Sequence, residues 1–382
     1  MLNAKGPLVI GFDGRFLQDK FHGIGRYAHG LLTALGSIEG DHQVVVFVDP
    51  TLPNTRFDLT RLEKAGNVEL RRVSIPMYRP QELWAWRRVV RSAHLDVFHS
   101  PYFWSPLSLP CPLVITVHDM IFDRYPQYVP GRRFRVPYRL ASRAMMRRAR
   151  RISADSEATR KDIIELARIP ADRVVTIAPA VEDAFQPITA ASERNRVRNK
   201  YSLPGSYVLT VGARRPHKNV GRLVSAFELL GQGVPHSLVL VGAVDARVAD
   251  PAAAGIARLQ ARGRAVEIPH VDEADLSAVY SMSDLLVQPS LIEGFGLPVL
   301  EAMASGCPVA CSNIASLLEV AGDAAVVFDP RSESEIAAAL HDVLSSRTLR
   351  DHMQQRGLER VTKFSWEAAA RMTLDLYRQA AG

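Results

Sequence analysis

Long apolar runs are missing from this chain of 382 residues. None approaches the ~18–20 residues that a helix needs to cross a bilayer. The opening stretch, Met1 to Phe12, carries one lysine and only Leu8-Val9-Ile10 as an apolar run, which reads as a first strand and not as a secretory leader. A cytoplasmic body is the expectation. Cysteine is scarce. Of the three, Cys307 and Cys311 flank Pro308-Val309-Ala310 with no further ligands at usable spacing, so small buried residues are expected rather than a disulfide framework or a metal site. No D-x-D motif stands at a strand end. Asp272-Glu273-Ala274-Asp275 reads instead as acids in a first helical turn, so no obligatory metal is expected. Basic residues are not interleaved with aromatics in a nucleic-acid-binding pattern, and nucleic acid is not expected as a partner.

What is present fits a soluble-type globular chain of two or three domains, with 47% apolar and 23% charged residues. The net charge is +7, and part of it is local: Arg132, Arg133, Arg135, Arg139, Arg143, Arg147, Arg148, Arg150 and Arg151 fall in one segment. Phe134, Val136, Tyr138, Leu140, Met145 and Met146 are interspersed there, which predicts an amphipathic helix over 134–149 with one face packed inward. Its basic face is either solvated or in contact with an anionic membrane or acceptor.

Short apolar strands alternate with helical stretches from Leu8 to Ala178, including Leu113–Val117 ahead of His118-Asp119. Alternation of this kind predicts a parallel sheet covered by helices. The rhythm breaks over 179–204, which is read as a hinge, and resumes at Tyr207-Val208-Leu209-Thr210-Val211. The expected fold is α/β, with two Rossmann-like parallel-sheet units. The expected boundaries are 1–187, 188–364 and a C-terminal helix over 365–382. Trp84, Trp86, Phe103 and Trp104 are expected in the core or on a cleft wall.

The most informative stretch runs from Gln288 to Gly306. Leu285-Leu286-Val287 is a strand, Gly294 and Gly296 permit a tight turn, Pro298 suits a first helical turn, and Gly306 with Pro308 ends the helix. A helix that starts after a glycine loop offers unpaired N–H groups and a positive dipole end, which suits diphosphate. Glu301 lies early in that helix, where it can accept the hydroxyls of a ribose or simply complement the dipole. Glu293, at the loop entry, can hold sugar hydroxyls. Ribose, diphosphate and sugar in sequence describe a nucleotide sugar.

The segment E-G-F-G-L-P-V-L-E-A-M-A-S-G-C-P-V, with Glu293 and Glu301 eight apart, resembles the signature of retaining glycosyltransferases of family 4, which have the GT-B fold. That resemblance implies two domains facing across a cleft, an acceptor-binding first domain, a donor-binding second domain and a last helix that crosses back to the first. It implies that Glu293 with the N–H groups of Gly294 and Phe295 holds the donor sugar. The Gly296-Leu297 turn, Arg215 and Lys218 would hold diphosphate, and Glu301 the ribose. The family's loop arginine often directly follows the glycine, but Ala213 stands there, so Arg215 or Arg214 takes that part. Two cations of this kind can neutralise a departing diphosphate. By similarity to T-x-H-D, His118 belongs to the active site, and Gly25 of Gly23-Ile24-Gly25-Arg26-Tyr27 borders the donor diphosphate.

The implied activity is retaining transfer of a hexose from a GDP- or UDP-linked donor, with GDP-mannose favoured. The acceptor would be a saccharide or lipid-linked saccharide of surface polysaccharide assembly. The protein would stand in the cytoplasm, with peripheral contact to the membrane through residues 132–151. A nucleotide-sugar 2-epimerase on the same fold and a non-catalytic nucleotide-sugar-binding regulator are the alternatives.

Overall fold

The computed structural model describes residues 7–382 except 78, 80, 106, 107, 130, 132, 134, 232 and 245–249. Arg132 and Phe134 of the basic segment therefore lie outside the described residues. The chain divides into two units: Met1–Ala180 with Ser365–Gly382, and Val181–Phe364.

Unit 1 is built on β1 (Leu8–Asp13), β2 (His42–Val48), β3 (Val68–Arg72), β4 (Val97–Ser100), β5 (Leu113–Val117), β6 (Arg151–Ala154) and β7 (Val174–Thr176). Their order is β3-β2-β1-β4-β5-β6-β7, and each neighbouring pair is parallel. β1 is central: Ile10 pairs with Val44 on one side and Val97 on the other. Both faces of such a sheet must be covered, which is why its strands read as near-continuous apolar runs. Val44, Val46, Val97 and Val114 pack with the helices His22–Ser37 and Trp366–Ala381. Val45, Phe47, Phe98, Leu113 and Ile115 pack on the other face with Trp86, Val90, Met146 and Ile163 of the helices Glu82–Ser92, Arg135–Arg148 and Glu157–Ala167.

Unit 2 repeats the design with β8 (Tyr207–Val211), β9 (Ser237–Val241), β10 (Ala265–Ile268), β11 (Leu285–Gln288), β12 (Val309–Ser312) and β13 (Val326–Phe328). The order is β10-β9-β8-β11-β12-β13, again with parallel neighbours. In each sheet the order reverses beside the first strand, between β1 and β4 and between β8 and β11. Ligands of open α/β sheets bind beyond the carboxyl ends of strands at such a reversal.

The last helix, Trp366–Ala381, returns to unit 1 as expected. Ser365 caps it by accepting from Ala368 N, and Tyr377 is buried with its hydroxyl 2.6 Å from His99 Nδ1.

Three expectations are refined. The stretch 179–204, read as a hinge, holds the division between the two units at Ala180, but it is not hinge throughout. It contains the helix Ala191–Lys200, which belongs to unit 2 and is pinned by Arg196 and Lys200 to Asp275. Only Val197 of this helix is buried, so it carried no apolar periodicity to read. Trp84 is not in the core but 63% exposed, because Trp86 and Val90 are the residues that the helix Glu82–Ser92 buries. In the helix Arg135–Arg148 the inward residues are Ser142, Met145 and Met146, with Tyr138 half-buried. Val136 and Leu140 fall on the opposite stripe, four residues apart, and are exposed.

Candidate functional site

The loops that follow β8 and β11 flank the reversal in unit 2, and hydrogen bonds stitch them together. Leu291 N donates to His217 O at 2.8 Å. Asn219 Nδ2 donates to Pro289 O at 2.9 Å and Pro330 O at 2.7 Å. Asn219 itself sits in the left-handed region (φ +59°), which asparagine tolerates better than most residues. The stitching brings Lys218 Nζ to 2.6 Å from Glu293 Oε1. The same carboxylate oxygen accepts from Ser290 Oγ at 2.6 Å and Gln288 Nε2 at 2.7 Å, and Ser316 Oγ donates to Glu293 O at 2.8 Å. Burial opposes ionisation of Glu293, but the Lys218 ammonium and the donated hydrogen bonds outweigh it and hold the carboxyl below its ordinary value. His217 next to it is driven down to about 4 by burial and by Lys218. The ring is therefore neutral at physiological pH, and Lys218 is the charged member of the pair of neighbours.

Gly296 precedes the helix Leu297–Ala304 with φ +116°, and a Cβ there would stand 2.5 Å from Leu317 Cδ2. The turn therefore requires glycine, and a Cβ would also displace the Leu317 side chain. Gly294 and Phe295 are buried, and the Phe295 ring packs against Phe364 at 5.8 Å. Leu297 is half-buried at the first helical position, followed by Pro298. Glu301, one turn on, is 2% exposed, and Tyr280 Oη donates to its Oε2 at 2.9 Å. The carboxylate that the resemblance assigns to ribose is thus held in place from the helix Glu273–Ser281.

The two arginines of the β8 loop have different surroundings. Arg214 is enclosed, with its guanidinium 2.6 Å from Glu267 Oε2 and 3.3 Å from Asp250 Oδ2. Arg215 is exposed. Arg214 therefore anchors the loop to the β9–β10 side of the sheet, and Arg215 has its side chain at the surface.

In unit 1, His118 follows β5. Its Nδ1 lies 2.7 Å from Asp155 Oδ2 and its Nε2 2.8 Å from Pro101 O. Both partners are oxygen acceptors, so the ring that satisfies both is the imidazolium. Burial disfavours that charge, but Asp155 and the Pro101 carbonyl prevail and raise the ring above its ordinary value. Tyr27 packs edge-on against His118 at 4.9 Å, and its hydroxyl lies 2.9 Å from Thr116 Oγ1, which also lies 2.9 Å from His99 Nε2. His99 is fully buried and driven down to about 3 by burial and then by His118. Gly25 lies inside the first turn of the helix His22–Ser37 and not in a free loop. Its N–H donates to Phe21 O at 2.7 Å, and a Cβ would stand 2.5 Å from Phe57 Cζ. Close packing on Phe57 is what this position requires.

Reading the sequence missed Gln288, Ser290, Ser316, Asn219 and Tyr280. Gln288 and Ser290 border the motif itself, and Asn219 follows Lys218, so their proximity was the only available signal. Tyr280 and Ser316 reach the site from other helices and left no local mark. Among the described residues no group of three or more His, Cys, Asp or Glu is placed to hold a metal ion. None of the described helices is long and apolar enough to cross a membrane.

Comparison with known proteins bears on family and fold. Residues 192–360 match the family model described as glycosyl transferases group 1, and residues 21–185 the model described as Glycosyltransferase Family 4. The O-antigen chain mannosyltransferase B of Escherichia coli is 34% identical over 285 residues, 74% of either chain. The serotype-specific mannosyltransferase WbdA of the same organism is 31% identical over 275 residues, which are 70% of this chain but only 33% of that longer protein. The solved structure of sucrose-phosphate synthase from Thermosynechococcus elongatus superposes with a TM-score of 0.74 at 20% identity, covering 98% of this chain and 99% of that one, a likeness of GT-B fold. With its doubly wound sheets, its paired loops at the reversal of unit 2 and these relatives, the chain belongs to glycosyltransferase family 4 and is a nucleotide-sugar-dependent glycosyltransferase.

Proposed function

We propose that the chain transfers a mannosyl residue from GDP-mannose, with retention of anomeric configuration, to a saccharide or lipid-linked saccharide acceptor. The Lys218–Glu293 pair at 2.6 Å carries the reading, because it sets a cation and a carboxylate side by side at the strand-order reversal of unit 2. The two Escherichia coli relatives are mannosyltransferases, which supports mannose as the sugar.

In this proposal Glu293, with the N–H groups of Gly294 and Phe295, holds the sugar hydroxyls. Lys218, Arg215 and Leu297 N–H hold the diphosphate, and Glu301 holds the ribose. Arg214 braces the loop. The acceptor oxygen bonds to the anomeric carbon on the face that the diphosphate leaves. The carbon–oxygen bond to diphosphate breaks, its electron pair stays with the phosphate oxygen, and the acceptor proton passes to that oxygen. Fixed cations beside developing charge are often the largest contribution to such a rate. His118, as an imidazolium tied to Asp155 and Pro101, is a positioning residue for the β5 end of unit 1, and Gly25 keeps the first turn of its helix close to Phe57.

We further propose that unit 1 meets an anionic membrane surface through one helical layer. The helices Glu82–Ser92 and Arg135–Arg148 cover the same sheet face; exposed Trp84 lies beside Arg87, Arg88 and Arg91, and exposed Val136 and Leu140 share their helix with exposed Arg147. Apolar side chains beside arginines suit an interface of headgroups and acyl chains.

A thermal-shift panel of nucleotides and nucleotide sugars tests the donor, since a ligand of the folded state raises Tm. GDP and GDP-mannose are expected to raise it more than the uridine series. A larger rise with UDP-sugars overturns the choice of base. An epimer formed without any acceptor overturns the choice of reaction.

A further inference from the structure

At the end of the unit 1 sheet opposite His118 lies a cavity of about 800 Å³. Its lining segments come just before strands: residues 109–112 before β5, 148–151 at the start of β6, and 172–173 before β7. His118 and Asp155, by contrast, follow the carboxyl ends of β5 and β6. The cavity therefore stands at the amino ends of the strands, away from the residues assigned to transfer.

Four guanidiniums, Arg148, Arg150, Arg151 and Arg173, line it against one acidic side chain, Asp172. A terminal carboxylate on Gly382 would still leave the lining net positive. Two of the arginines are fixed by main-chain carbonyls: Arg151 Nη1 donates to Asp172 O at 2.7 Å, and Arg173 Nη2 to Arg147 O at 2.9 Å and also to Ala149 O. Among the described residues, no carboxylate forms an ion pair with Arg150, Arg151 or Arg173. Arg151 Nε is buried without a hydrogen-bond partner. Burial, with Asp172 acting against it and Arg150 and Arg151 adding to it, lowers Arg173 from its ordinary value, as expected of cations gathered without enough counter-charge. Cys111 and Ala380 supply apolar wall.

We propose that this cavity binds a phosphate-bearing anion, held by the planar forks of Arg148, Arg150, Arg151 and Arg173. Guanidinium pairs match phosphate oxygens bidentately, and Arg151 and Arg173, already held by carbonyls, lose little freedom on binding. The anion can come from a soluble phosphate ester or from a phospholipid headgroup.

The test uses the full chain in a Lys218→Ala background, so that binding at the transfer site does not mask the result. Pyrophosphate is titrated by calorimetry into Lys218→Ala alone, and into the same chain with Arg148→Glu and Arg150→Glu or with Arg150→Gln alone. Thermal unfolding checks that each variant is folded. The expected result is binding by Lys218→Ala, with affinity at least tenfold weaker when the arginines are changed. Vesicles of phosphatidylglycerol are sedimented with the same chains. Vesicle binding that falls in the arginine variants and is competed by pyrophosphate assigns the anion to a headgroup, and pyrophosphate binding without arginine-dependent vesicle binding assigns it to a soluble ester. Folded variants that bind pyrophosphate and vesicles as Lys218→Ala does would overturn the proposal and leave the donor-site reading untouched.

Discussion

Lys218 Nζ and Glu293 Oε1 lie 2.6 Å apart, although they are 75 residues apart in the chain and stand on loops from different strands. Neither loop places its side chain alone. The contact depends on β8 and β11 being neighbours, and on Asn219 and Leu291 joining the loops above them. Because Glu293 Oε1 also accepts from Ser290 and Gln288, the carboxylate is oriented before any ligand arrives.

Glu293→Gln keeps the shape of that side chain and removes its charge. Turnover is expected to fall by roughly 10²-fold, the scale of losing one preorganised group at a reacting centre. Affinity for free GDP should change little, because Glu293 is assigned to the sugar and not to the nucleotide. Steady-state kinetics with calorimetry check both halves.

Arg214 and Arg215 should separate cleanly. Arg215→Ala is expected to weaken GDP binding by roughly tenfold, one charge-assisted contact. Arg214→Ala breaks the links to Glu267 and Asp250 and should lower Tm with a smaller effect on affinity. The opposite pattern would exchange their roles.

His118 gives a pH dependence with a definite sign. Its folded value is raised above the ordinary 6.5, so the stability it contributes is fully present below about 6.5 and is lost as pH rises through the folded value. The Tm difference between the parent chain and His118→Gln should therefore be largest in mild acid and shrink toward alkaline pH. A difference that grows with pH would show that the ring is held neutral.

Asp275 has the reverse sign. Although burial opposes ionisation, Arg196, Lys200 and Tyr201 lower it from 3.8 to about 2. Its contribution is present above pH 3.8 and lost as pH falls through about 2. Asp275→Asn should cost roughly 1–2 kcal/mol at neutral pH, since the arginine and lysine ends are partly in water. Denaturant unfolding should show that cost vanishing in strong acid.

Much of this architecture was legible because a parallel sheet buried on both faces writes its strands as uninterrupted apolar runs. Leu113–Val117 and Tyr207–Val211 keep the ends that the sequence predicts. β3 was missed: an edge strand with exposed Glu69 and Arg72 has no such run. The helix Glu82–Ser92 hides its buried Trp86 and Val90 among arginines. The site was legible where its residues are contiguous, from Glu293 to Glu301. The support of Glu301 by Tyr280 was not, because it arises only when two helices pack. The inward direction of Met145 and Met146, and the outward one of Val136 and Leu140, depended on a helical phase that arginines on every side left unmarked.

The most direct measurement is GDP titration into the parent chain and into Lys218→Ala by calorimetry, with Tm confirming that both are folded. The account predicts saturable one-site binding by the parent chain and a loss of at least tenfold in affinity for Lys218→Ala. Equal affinity in the two, or no GDP binding by the folded parent chain, would contradict it.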